Sequence, residues 1–148
     1  MTSKTWAQAA RHAGLAAGLA LGCAAAAAQD VDATQMIRSS LQVIQMIDQG
    51  RTGELWDGAS AGARKQVARD EFVRQVAQAR APLGAPQART WIAVKRRATG
   101  GDDPDLAGQY LSVEHETRFA SRTEHARELT TFHLGRDGTW RFSGYFIR

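Results

Sequence analysis

The sequence predicts an α+β fold, and three observations carry the prediction. Apolar residues recur at helical spacing before Gly84. They alternate at spacing two after it. Each alternating run is bounded by a turn signal. The expected architecture is three N-terminal helices packed on a curved four-stranded antiparallel sheet.

The elements follow in chain order. Residues 30–48 predict a helix, with Ile37, Leu41, Ile44 and Ile47 on one face and Gly50 as its stop. The stretch RTGELWDGASAGARKQV predicts a second, short helix, with Leu55, Trp56 and Ala59 inward and three glycines limiting its length. A third is expected behind Asp70 as N-cap, with Phe72, Val73, Val76 and Ala79 as its apolar stripe. Pro82 and Gly84 end it. Strands are then expected over 88–98, 108–120, 124–134 and 139–148, the last two joined at Asp137-Gly138, a strong hairpin signal.

Hairpin geometry gives a register. It sets Phe132 opposite Phe142, Thr130 opposite Gly144, Leu111 opposite Phe132 and His115 opposite Glu128. The expected core face then carries Leu111, Val113, Phe119, Phe132, Leu134, Trp140, Phe142 and Phe146. The expected solvent face carries Tyr110, Ser112, Glu114, Glu116, Arg118, Arg127, Arg141 and Tyr145. A slip of one residue inverts such a list, and Gly144 marks a place for a bend or bulge.

The first 28 residues differ in kind. Lys4, Arg11 and His12 precede a run of small and apolar residues from Ala13 to Ala28, which reads as an export signal cleaved after Ala28. A periplasmic or secreted protein of residues 29–148 is the expectation, folded as a single domain. The alternative is a lipid-anchored envelope protein processed at Cys23, whose LALGC context loosely resembles a lipobox. Cys23 is the sole cysteine, so a chain cut after Ala28 has no disulfide. Removing Lys4 and Arg11 from 19 basic residues, against 15 acidic, lowers the net charge from +4 to +2. The only basic run is Lys95-Arg96-Arg97, which reads as an edge-strand device; no nucleic-acid role is expected.

Three stretches together resemble a known family: RAPLGAPQAR (80–89), GQYLSVEHETRF (108–119) and DGTWRFSGYFIR (137–148). They resemble short exported bacterial proteins catalogued as domain of unknown function 4019, with an R-x-P-L-G corner, a second arginine and a terminal D-G-x-W-R-x-x-G-Y. Phe72 stands where that pattern has a tryptophan. The resemblance covers about residues 35–148. It implies a cystatin-like, nuclear-transport-factor-2-like cone and no assigned activity.

Candidate chemistry is sparse. Arg80 and Arg89 bracket the Pro-Leu-Gly corner, as a clamp for an anionic ligand or as structural groups, Arg80 capping a helix end or pairing with a sheet acid. His115 and Glu128 are the candidate catalytic pair, an acid–base dyad or an ordinary cross-strand contact. Arg141 and Tyr145 complete the candidate ligand-binding set. No metal is expected: His125 and His133, eight residues apart on one strand, lie roughly 26 Å from each other. No cofactor is expected, since phosphate-loop, dinucleotide and nucleophile-elbow motifs are absent. The first expectation is thus a non-enzymatic binder of a partner protein or small ligand, through a helix–sheet cavity or the open sheet face. The alternatives are a small cone-pocket enzyme and a structural envelope-interaction protein, with a homodimer through the open face.

Overall fold

A computed structural model describes residues 31–148. The expected leader, its cleavage site and Cys23 lie outside the described residues. Helices α1 (Ala33–Asp48), α2 (Thr52–Asp57), α3 (Ala61–Gln66) and α4 (Arg69–Arg80) precede strands β1 (Pro86–Thr99), β2 (Gly108–Phe119), β3 (Ala126–Leu134) and β4 (Trp140–Ile147). The strands form one antiparallel sheet in the order β1-β2-β3-β4. No described helix is long and apolar enough to cross a membrane.

The α+β class and the four antiparallel strands stand, but the described residues form four helices rather than three. The expected second helix breaks at Gly58-Ala59-Ser60, because Ser60 starts a new one. Its side chain accepts from the Ala63 amide at 3.3 Å, and its own amide donates to the Phe142 carbonyl at 2.7 Å. The last helix is capped at Ala68, not Asp70. Asp70 and Glu71 instead fill its first turn, where negative charge suits the helix dipole. The inward face of α1 is also rotated from expectation. It buries Met36, Ser40, Val43, Ile44 and Ile47, while Leu41 is 41% exposed.

The helices pack on the sheet face carrying Leu111, Val113, Phe132 and Phe142. Trp56 stacks on Phe72 at 4.3 Å, and both meet Phe142 edge-on, at 6.4 and 5.8 Å. The Pro-Leu-Gly corner seats Leu83 with Phe119 and Ala126 in a second cluster. Its backbone locks to the β2–β3 turn through Ser121 N to Leu83 O at 3.0 Å.

The register matches expectation at Leu111–Phe132, His115–Glu128 and Phe132–Phe142. It then shifts between Thr131 and Phe132, where Ser143 is bulged out of the ladder, so Gly144 pairs with Thr131 rather than Thr130. That single extra residue exchanges the two faces for the rest of β4. Tyr145, expected outside with Arg141, packs toward the core. Phe146, expected inside, is 57% exposed.

Candidate functional site

Six elements each deliver one side chain to a single point under the sheet. Helix α1 ends in Asp48, α4 ends in Arg80, and β1 to β4 supply Arg89, Thr117, Glu128 and Tyr145. At the centre Glu128 is fully buried. One carboxylate oxygen accepts from Arg80 Nη1 and from the Tyr145 hydroxyl, both at 2.6 Å. The other accepts from Arg89 Nε at 2.7 Å and from Thr117 Oγ1 at 2.5 Å. Asp48 holds the free sides of the two guanidiniums, pairing with Arg80 Nη2 and with Arg89 Nη1 at 3.2 Å. Arg80 also donates to the Tyr145 oxygen at 3.0 Å and lies 5.1 Å over the Phe119 ring.

Two carboxylates face two guanidiniums, so their charges balance in a cluster that is largely buried. Burial opposes the Glu128 charge, but hydrogen bonds from Arg89, Thr117 and Tyr145 outweigh it and hold the carboxyl below the ordinary glutamate range. Burial and the adjacent Glu128 push the Tyr145 phenol up, so it stays protonated and donates. Such a network supports the fold only while every member is present, because one missing partner strands a buried charge.

His115 lies on the same face and is fully buried, but its hydrogen bonding leads elsewhere. Its Nδ1 sits 3.4 Å from Ser40 Oγ, which bonds Thr130 Oγ1 at 2.6 Å. Burial and the Arg89 charge lower its pKa, so the imidazole is neutral at pH 7. His115 and Glu128 are register partners, yet the hydrogen bonds on Glu128 come from Arg80, Arg89, Thr117 and Tyr145. The buried Arg89 Nη2 and His115 Nε2 have no hydrogen-bond partner among the described residues.

Of the six residues singled out from the sequence, the structure gathers Arg80, Arg89, Glu128 and Tyr145 into this clasp and sets His115 beside it. It places Arg141 apart, in a two-pronged ion pair with Asp137 at 2.9 and 2.6 Å. Asp48 was missed. It looks like one more polar residue at a helix end, and its partners lie 32 and 41 positions away. Among the described residues no group of three or more His, Cys, Asp or Glu is placed to hold a metal.

The opposite face of the sheet carries a second site. A groove of about 490 Å³ crosses all four strands. Lys95, Arg97, Arg127 and Arg148 line it, with Glu114 as the one acid lining it among the described residues, and Leu129, Tyr110 and the exposed Phe146 supply apolar surface. Glu114 is shared by Lys95 at 3.6 Å and Arg127 at 3.5 Å. The groove is legible only once the bulge at Ser143 is known, since the bulge turns Phe146 outward.

The family model described as "Protein of unknown function (DUF4019)" matches residues 39–145. No curated protein matches the chain.

Proposed function

The chain belongs to the DUF4019 family of proteins of unknown function, and from that premise we propose that it is a non-enzymatic, exported binding protein that holds a partner on the open face of its sheet. The observation that carries this reading is Phe146. Phe146, 57% exposed, and its register partner Leu129 put apolar surface in one groove rimmed by four cations, and an apolar patch with a charged rim is the kind of surface that marks an interaction site. The clasp supports the same reading from the other side of the sheet: its arginines are occupied by Asp48 and Glu128. We read the fold as the cystatin-like, nuclear-transport-factor-2-like cone, whose helices cover one sheet face and leave the other open. Export rests on the basic, apolar and small-residue pattern of residues 1–28.

A photo-crosslinking amino acid placed at Phe146 in the producing cells tests the surface, with a second at the exposed Leu41 on α1 as control. The expected result is a defined crosslinked partner from position 146 and none from 41. Equal yields, or capture from 41 alone, overturn the assignment. Mass spectrometry of the mature N-terminus tests export. A start at Gln29 supports the soluble exported form, a lipidated Cys23 the anchored form, and an intact Met1 neither.

A further inference from the structure

We propose that the occupant of the open face is an extended acidic segment of a partner protein, laid across the strands rather than along them. This rests on the binding role proposed above and names its ligand chemistry. The sheet register places residues in rows across the strands. One row reads Lys95–Ser112–Thr131–Gly144. The row beside it contains Glu114, Leu129 and Phe146, and Arg97 and Tyr110 stand on the other side. The Ser112–Thr131–Gly144 part of that row is a floor of short side chains between two taller walls, and Lys95 stands at its β1 end. At Gly144 the floor has no side chain at all, and a Cβ built there meets nothing within 4 Å.

Three strands at about 4.8 Å spacing make this floor roughly 10 Å long, which fits about three residues of extended chain. The Ser112 and Thr131 hydroxyls, 3.1 Å apart, sit mid-floor where a peptide backbone would need hydrogen-bonding partners. Charge decides the sequence of that peptide. Glu114 is already shared by Lys95 and Arg127, Arg127 also pairs with Glu116 at 3.3 Å, and neither Arg97 nor Arg148 is in an ion pair with an acidic side chain among the described residues. The surplus is positive and is met by aspartate or glutamate. Phe146 and Leu129 on one wall select an apolar side chain among those acids. A recess with hydroxyls in its floor suits a peptide better than a bilayer, whose binding surface carries protruding apolar groups.

The test uses the full chain and a fluorescein-labelled heptapeptide of six acidic residues around one phenylalanine, with its lysine counterpart as control. The acidic peptide is expected to bind, more weakly as sodium chloride is raised, and the lysine peptide is not. Gly144→Leu fills the floor and is expected to weaken binding at least about tenfold with the melting temperature unchanged. Arg97→Glu is expected to do the same by charge, and it decides the matter if Gly144→Leu alters folding. Full affinity in both variants, or equal binding of the lysine peptide, overturns the proposal. Binding of phosphatidylglycerol vesicles without binding of the peptide overturns the occupant while leaving capture at Phe146 intact. Loss of capture at Phe146 as well overturns the binding role beneath it.

Discussion

Glu128 is a buried carboxylate that stays charged because four side chains donate to it. Removing its charge leaves Arg80 and Arg89 with Asp48 alone. Glu128→Gln is therefore expected to cost about 3–5 kcal/mol in urea denaturation at pH 7. The pH dependence follows from the same contacts. The folded-state pKa of Glu128 lies below that of the unfolded chain. Its contribution is present above the ordinary glutamate value of about 4.3, and it is lost as pH falls below that through the folded pKa. The stability of the native chain is expected to drop across this acid range. That of Glu128→Gln is expected to change less, and parallel profiles would contradict the assignment. His115, the register partner of Glu128, was legible as its neighbour. Its turn toward Ser40 was not, because that contact joins residues 75 apart and depends on the rotation of α1.

At the scale of elements, alternation along β2 was enough to find Leu111, Val113 and Phe119, and Asp137-Gly138 was enough to set the last hairpin. What alternation cannot carry is a bulge. Gly144 signalled one, but the extra residue is Ser143, and only the paired strand shows which residue is left out of the count. The break between α2 and α3 had a signal in Gly58 and Ser60 that the single-helix reading passed over. The Pro-Leu-Gly corner gives a further test. Gly84 and Gly50 both take positive φ, at 75° and 73°, so alanine at either is expected to cost about 1–2 kcal/mol from backbone conformation. At Gly84 the new Cβ would also meet Ser121 Oγ at 2.5 Å and Ser121 N at 3.1 Å, whereas at Gly50 it meets nothing. Gly84→Ala is therefore expected to lower the unfolding midpoint more than Gly50→Ala. Equal shifts would show that the corner is not wedged against the β2–β3 turn.

Across residues 31–148, the two faces of the sheet differ, and the proposed function gives each its own task. The inward face holds the apolar core and the clasp, which ties the ends of α1 and α4 to all four strands. The outward face holds the groove. The motif residues that made the sequence recognisable, Arg80, Arg89 and Tyr145, belong to the inward task. A reading that seeks function in the most distinctive motif is drawn to the clasp, and the groove residues (Lys95, Ser112, Thr131, Phe146) form no motif because they meet only through sheet register. Adjacent residues of β4 therefore lie on opposite faces, and one measurement separates the roles proposed for them. Urea denaturation of Tyr145→Ala and Phe146→Ala, side by side with the native chain, is expected to show a loss of several kcal/mol for Tyr145→Ala, which strips a hydroxyl and a ring from the clasp. Phe146→Ala is expected to fall within about 1 kcal/mol of native. A large loss at Phe146 with little at Tyr145 would contradict the division of the sheet into a structural face and a binding face.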